Sequence, residues 1–234
     1  MTEEFAEFFR EWASNNKFYL TTGSDFNKVQ EQIPKDIIEL ASGVFCCMGN
    51  QLLKEGGAHV VYSNDFEPPP RLVADLQSFL EYGDFPHPWR KGPFIEYRPG
   101  MINFSIVGRG VDFEMRRLYS NFDKKTMERE RICGIIGNKY PEIDTSIGGK
   151  ISIDIYPKGN DKSQSVDWIM QREMPDYIVF VGDRAYPGGN DYAACEAIEK
   201  HRRGVWFNVG SHKETRAILR LNALYTNRDG VDKA

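Results

Sequence analysis

Long hydrophobic runs are missing from this 234-residue chain. No apolar stretch approaches the roughly 18 residues a membrane-spanning helix needs. The opening Met1-Thr-Glu-Glu is acidic, so the expectation is a chain with neither a membrane span nor a signal peptide. An excess of basic charge is missing too: 30 Lys and Arg face 34 Asp and Glu, for a net charge of −4. With both signs interspersed, this argues against a nucleic-acid partner while leaving room for a local basic pocket. Cysteine is sparse, with Cys46 and Cys47 adjacent and Cys133 and Cys195 far away. Neither a metal-ligand spacing nor a disulfide framework emerges, and reduced thiols in a cytoplasmic protein are the simple reading. No internal repeat or low-complexity tract is evident.

What is present suffices for one large core or two modest ones, at 41% hydrophobic content. Thr2 followed by Glu3 and Glu4 predicts a helix start with a hydroxyl cap, and Phe5, Phe8, Phe9 and Trp12 recur at helical spacing. That aromatic stripe reads as a core-facing side, with a partner-binding face as the alternative. Residues 17–22, 43–47, 177–181 and 204–209 read as strands separated by helices, one of them running through Leu40, which implies a parallel doubly wound sheet. The middle of the chain reads differently. Phe66-Glu-Pro-Pro-Pro70 is extended, residues 71–82 are helical in pattern, and Pro99-Gly100-Met101 signals a hairpin between residues 94–98 and 102–107. Asp112 to about Gly137 reads as one charged helix, and Ile151-Ser-Ile-Asp-Ile-Tyr156 as a half-buried alternating strand. The expected division is therefore a core of residues 1–59 and 160–234 with an α+β insert at 60–159.

The segment Val181-Gly-Asp-Arg-Ala-Tyr-Pro-Gly-Gly-Asn-Asp-Tyr192 carries the most chemistry. It follows the apolar strand Tyr177-Ile-Val-Phe-Val181, so Asp183 falls at a carboxyl-terminal sheet edge, where open α/β sheets bind ligands. Asp191 supplies a second carboxylate across a flexible turn. Two acids at one edge suit a hard cation such as Mg²⁺, although Gly-Asp after a strand is also an ordinary turn.

Gly182-Asp-Arg-Ala-Tyr-Pro-Gly-Gly-Asn-Asp191 resembles the last acidic motif of the eukaryotic-type phosphomannomutases, within the haloacid dehalogenase superfamily. Three more blocks resemble the same family in the same order. They are Gly23-Ser-Asp-Phe-Asn-Lys-Val-Gln-Glu-Gln32, Phe94-Ile-Glu-Tyr-Arg-Pro-Gly-Met-Ile-Asn103 continuing through Val107-Gly-Arg109, and the stretch Ser146 to Lys162. The resemblance implies a haloacid dehalogenase-like doubly wound parallel core with an inserted α+β cap domain. It also implies interconversion of mannose 6-phosphate and mannose 1-phosphate through an aspartyl-phosphate and a hexose bisphosphate.

Residue by residue, the resemblance assigns the cap arginines Arg98, Arg109 and Arg116 to phosphate, for which guanidinium forks are suited. Ser152 and Asp154, on one face of their strand, match the positions for sugar hydroxyls, a solvent-exposed face being the alternative. Lys162 matches the lysine that holds nucleophile and phosphate together. Thr22 and Ser24 match the grip on the phosphoryl group at a helix start, and Lys28 either adds charge there or is a surface lysine. Asp183 matches the side-chain ligand for Mg²⁺, with Asp191 behind it or reaching it through water. Phe94 matches a contact in a homodimer formed through the cap, or else is a core residue.

One family feature is lacking. Members carry a first strand with Asp-x-Asp-Gly-Thr, whose first Asp is the nucleophile, and no Asp-x-Asp occurs in these residues. The first strand would lie mid-sheet between residues 17–22 and 177–181. Three outcomes follow: the start lies upstream, the flanking strands close up and pair, or another segment fills the gap. As given, the chain is expected to be inactive. The alternatives are a non-catalytic sugar-phosphate-binding homologue and a small-molecule phosphatase of the same superfamily.

Overall fold

A computed structural model describes residues 1–226; positions 227–234, part of the expected core segment, lie outside them. In chain order the elements are α1 (Glu3–Asn15), β1 (Tyr19–Thr21), α2 (Phe26–Gln32), α3 (Lys35–Leu40), β2 (Gly43–Cys46), β3 (Gln51–Lys54), β4 (His59–Ser63) and α4 (Pro70–Tyr82). They continue with β5 (Ile95–Arg98), β6 (Met101–Phe104), α5 (Phe113–Thr126), α6 (Glu128–Lys139), β7 (Ile143–Gly148) and β8 (Ser152–Pro157). The last are α7 (Ser163–Arg172), β9 (Ile178–Gly182), α8 (Tyr192–His201), β10 (Gly204–Asn208) and α9 (His212–Thr226).

The four parallel strands read from the sequence are present, but in two pieces. β1 and β2 run parallel and continue antiparallel into β3 and β4, while β9 and β10 form a separate parallel pair. The third sheet is antiparallel, in the order β5-β6-β8-β7. Its register sets Asn103 opposite Asp154 and Ile102 opposite Ile155. Under it lies an apolar cluster that includes Leu72, Leu76, Phe104, Tyr119 and Ile136. Gly100 turns the β5–β6 hairpin at φ +63°, and a Cβ there would stand 2.4 Å from the Asn50 Cγ, so the turn can press against Asn50 only with glycine.

Several local readings are corrected. Thr2 stands at the start of α1 in extended backbone, but its hydroxyl makes no cap bond. The helix expected to run through Leu40 breaks at Ile33–Pro34, because the residue before proline is driven out of helical backbone. The single helix expected from Asp112 breaks at Met127, which is left-handed (φ 56°). There the Asp123 carboxylate accepts the Arg129 backbone N–H at 2.9 Å and pairs with its guanidinium at 2.8 Å.

β1 and β9 do not pair, so of the three outcomes the one in which the flanking strands close up is not what is seen. α7 holds them apart by packing on both sheets. Its Trp168 ring lies 5.7 Å from Phe45 and 6.3 Å from Tyr19, while Val166 and Met170 pack with Phe180. The Tyr19 hydroxyl also donates to Glu173, just past the end of α7, at 2.7 Å. Between the strands runs a groove of about 420 Å³, walled by Tyr19, Thr21, Val179 and Phe180, with Trp12 and Leu219 from α1 and α9 and Val166 and Ile169 from α7.

Candidate functional site

At the carboxyl ends of β1 and β9 the groove opens into a larger cavity of about 950 Å³ roofed by the antiparallel sheet. All eleven residues singled out from the sequence line it: Thr22, Ser24, Lys28, Arg98, Arg109, Arg116, Ser152, Asp154, Lys162, Asp183 and Asp191.

The arginine side is crowded with positive charge. Arg98 leaves the end of β5 with its side chain 6% exposed; it donates to Glu96 Oε2 at 2.5 Å and to the Gly23 carbonyl at 3.4 Å. Arg109 Nε stands 3.4 Å from the same Glu96 oxygen, so one carboxylate serves two guanidiniums. Arg109 Nη1 also donates to Ser152 Oγ at 3.0 Å. Burial pulls the Arg109 pKa down, and the nearby Arg98 and Arg116 charges pull the same way against Glu96. Arg116 donates to the carbonyls of Val111 (3.1 Å) and Arg109 (2.6 Å). Among the described residues it makes no ion pair.

Ser152 and Asp154 share a face of β8, as alternation requires. Each is only 3% exposed, so the alternative of a solvent-facing side is corrected. Asn103 donates to Asp154 Oδ1 at 2.6 Å from the register position opposite. The carboxylate sits between Gly148 at the end of β7 and Gly23 in the turn after β1: a Cβ on Gly148 would lie 2.8 Å from Oδ2, and one on Gly23 3.0 Å away. Burial raises the Asp154 pKa, opposed by Asn103, Arg98, Lys162 and Arg109.

On the sheet-edge side, Lys162 precedes α7 and its ammonium is bound to Asp191 Oδ1, with both side chains under 10% exposed. The other Asp191 oxygen accepts the Arg184 N–H at 3.1 Å. Asp183 is exposed. The Thr22 hydroxyl accepts the Ser24 N–H at 3.1 Å, which shapes the turn before α2. At that helix start the Lys28 N–H is taken by the Asp25 carboxylate at 2.9 Å, and the Lys28 ammonium pairs with Glu31. The Lys28 charge is therefore already partnered rather than free for a ligand.

Among the described residues no cluster of three or more His, Cys, Asp and Glu side chains is gathered for a metal. The oxygen donors at the sheet edge are the Asp183 carboxylate and the buried, unpartnered Oδ1 of Asn190. Mg²⁺ usually takes one or two carboxylates and completes its octahedron with water and phosphate, and this set fits that pattern. It does not amount to an all-protein cage.

Sequence reasoning missed Glu96, Asn103 and Arg184. Glu96 stands two residues before Arg98 and so on its face of the strand, a signal that was available. Arg184 donates to the carbonyls of Ile147 (2.5 Å) and Gly149 (3.1 Å), tying the Asp183 loop to the β7–β8 turn. Nothing local marks that contact.

This fold is that of the haloacid dehalogenase class: a mixed α/β core with a cap over the carboxyl ends of its parallel strands. A HAD subclass IIB sugar phosphatase matches with a TM-score of 0.56 at 14% identity, over 94% of this chain and 84% of that one. Plasmodium falciparum IMP-nucleotidase, N-terminally truncated, matches with a TM-score of 0.53 at 16% identity, over 94% of this chain but only 64% of that one. Within this class, the chain belongs to the eukaryotic phosphomannomutase family, whose pattern it matches over residues 5–225. The phosphomannomutase of Spinacia oleracea is 32% identical over 219 residues, covering 92% of this chain and 86% of that protein.

Proposed function

We propose that the cavity binds a hexose phosphate, and that the chain performs phosphomannomutase chemistry only when an aspartate nucleophile is supplied at the sheet edge. The observation that carries the reading is three guanidiniums against two carboxylates: Glu96 faces Arg98 and Arg109, Asp25 Oδ2 stands 3.5 Å from Arg98 Nε, and Arg116 makes no ion pair among the described residues, which leaves positive charge for an anion. Charged donors with crowded like charges in a cleft mark ligand sites. The division that fits is a core of 1–59 and 160–234 with a cap of 60–159, the cap arginines taking the distal phosphate. Ser152 and Asp154 accept the sugar hydroxyls, and Asp154 stays oriented by Asn103. Thr22 and Ser24 hold the transferring phosphoryl group, with Lys162 positioned by Asp191 to offset its charge. Asp183 with Asn190 would hold Mg²⁺, which when bound neutralises phosphate oxygens. A bisphosphate that turns over between the two phosphate sites requires the cap to release and reseat it.

Without an Asp-x-Asp segment the chain alone is a sugar-phosphate-binding protein, and phosphatase action by this chain alone is disfavoured for the same reason. A homodimer through the cap and a cytoplasmic setting complete the reading. No helix among the described residues is long and apolar enough to cross a membrane. Calorimetric titration with mannose 6-phosphate tests the site. Arg109→Ala should weaken binding by about 1.5–3 kcal/mol, roughly 10- to 150-fold, because charge-assisted bonds to phosphate have that size. Unchanged affinity in Arg109→Ala, or no binding by the parent chain, rejects it.

A further inference from the structure

We propose that Asn50 is a positioning residue for the sugar-phosphate site. Its side-chain amide pins both crossings of the chain between the core and the insert, and so holds the insert closed over the cavity. The pivot follows from the contacts alone; its effect on ligand affinity rests on the functional reading above.

Asn50 is not on the cavity wall. It is fully buried at the end of the turn, residues 47–50, that joins β2 to β3. A primary amide offers two donor hydrogens and an oxygen with two lone pairs, and here all four are used. Nδ2 donates to the Cys47 carbonyl at 2.9 Å and to the Asn160 carbonyl at 3.2 Å. Oδ1 accepts from Asn64 Nδ2 and from Asn160 Nδ2, each at 3.0 Å, with Gln164 Nε2 farther off at 3.5 Å. Asn64 follows β4, where the chain leaves the core, and Asn160 follows β8, where it returns. Three of the four bonds therefore go to the two crossings. The Asn50 carbonyl also accepts the Asn64 backbone N–H at 2.8 Å. A buried asparagine that only filled a polar gap would need no partners from both connections.

The insert meets the same side chain once more. The β5–β6 turn presses on it at Gly100, two residues beyond Arg98. On its other side the 47–50 turn is tied to the segment read as the phosphoryl grip. Cys47 N–H bonds the Ser24 carbonyl at 2.9 Å, and Met48 N–H bonds the Thr22 carbonyl at 3.0 Å. Cys47 and Met48 are both left-handed, at φ 53° and 62°. Residues with a Cβ persist in that backbone only where their surroundings over-determine it. One rigid turn thus joins the Thr22–Ser24 segment to the hinge of the insert that carries the arginines. In the closed position Arg98 reaches the Gly23 carbonyl at 3.4 Å, and Arg184 reaches the Gly149 carbonyl at 3.1 Å. Releasing the pivot lets the insert tilt about its two connections, where hinge motion is ordinarily absorbed, and parts the arginines from the Thr22–Ser24 segment.

The test compares Asn50→Ala, Asn64→Ala and Asn64→Gln with the parent chain. Small-angle X-ray scattering reads the shape, and calorimetric titration with mannose 6-phosphate reads the affinity. Circular dichroism first establishes that each variant is folded at the working temperature. A compact chain of 234 residues has a radius of gyration of about 17.5 Å. Both alanine variants should exceed the parent's value by on the order of 1 Å, as hinge opening requires. Affinity should fall at least about fivefold, in proportion to the closed fraction lost, although neither asparagine lines the cavity. Saturating mannose 6-phosphate should return the radius to that of the parent, because the ligand selects the closed form. Asn64→Gln keeps a donor for the Asn50 oxygen and should stay within about twofold of the parent in affinity. If Asn50→Ala does not fold, the half-buried Asn64 carries the test through its two substitutions. A lower melting temperature with unchanged radius and affinity marks an amide that merely stabilises, and overturns the proposal. Equal losses in Asn64→Ala and Asn64→Gln overturn it too. A parent chain that binds no mannose 6-phosphate rejects the functional reading instead. Scattering then decides the pivot by itself: a wider variant supports it, and an unchanged one rejects it.

Discussion

The two halves of this molecule answer the same physical demand differently. In the antiparallel sheet, β6 and β8 are each paired on both sides. Their apolar faces bury Ile102, Phe104, Ile153 and Ile155 to 1% exposure or less. In the parallel part, β1 and β9 are each paired on one side, and the positions facing the groove are only partly buried. The difference separates binding from chemistry. On the reading proposed above, phosphate and sugar contacts fall to the completed sheet, whereas the reacting edge lies along the sheet that is open.

The largest effect that would break this comparison is turnover itself. With glucose 1,6-bisphosphate as activator, the chain as given should run about 10⁶-fold below a complete enzyme, the size of loss seen when an activated nucleophile is deleted. A coupled assay for glucose 6-phosphate or mannose 6-phosphate formation checks it, and measurable turnover would mean that another residue does the nucleophile's work. Next in size is Arg129→Ala. This buried guanidinium bonds Asp123 and the carbonyls of Gly148, Gly149 and Ser152. Removing it leaves Asp123 buried and unpaired, at about 3–5 kcal/mol by urea denaturation. A matched pair of truncations sharpens the contrast. Ile102→Ala, fully buried, should cost about 2–5 kcal/mol. Ile178→Ala in half-buried β9 should cost less than about 1 kcal/mol, because a site that borders an open groove loses little packing. Equal costs would mean that the groove is closed in solution.

The same contrast explains what was legible beforehand. Arg98, Ser152 and Asp154 stand in short strands whose alternation fixes their face, while Arg109 lies in a turn and Arg116 on α5. Pro99-Gly100 dictates its hairpin, so the placement of those strand residues on the cavity wall followed from local pattern. Asn103 is 51 positions from the Asp154 it orients, and the sheet order that joins them has no trace in periodicity. Lys162 and Asp191 meet from 29 positions apart for the same reason. β7 was missed because only its end residues, Ile143 and Gly148, are buried, which hides the two-residue period. The β3–β4 hairpin was missed because Gln51-Leu-Leu-Lys54 does not alternate. The groove was legible only as a segment that was lacking; whether its walls would pair depended on the packing of α7, which no pattern along one strand encodes.

Two smaller effects test each half by pH. Burial raises the Asp154 pKa, so the folded state holds that proton more tightly than the unfolded one. Its charge therefore weighs against folding above the folded pKa, and the penalty fades as pH falls toward the ordinary carboxylate range. Asp154→Asn keeps an acceptor for Asn103 and should raise the melting temperature by about 2–4 °C at pH 7, the equivalent of roughly 1 kcal/mol at this length. The gain should shrink by pH 4.

Glu173 at the groove mouth runs the opposite way. Bonds from Lys17, then Tyr19, and later Lys54 hold its pKa at about 2, below the ordinary 4.5. A depressed carboxylate stabilises fully above its unfolded pKa and loses that contribution as pH falls from about 4.5 toward 2. Glu173→Gln should therefore be less stable than the parent at pH 7 and indistinguishable near pH 2. The difference should stay under about 1 kcal/mol, because Lys17, its closest ammonium partner, is largely solvated and Lys54 stands farther off at 3.3 Å. Glu173 also receives the Tyr19 hydroxyl from the unpaired wall of the groove. If its loss cost several times that amount, these contacts would be what keeps β1 away from β9, and the open edge would be held by charge rather than by the packing of α7.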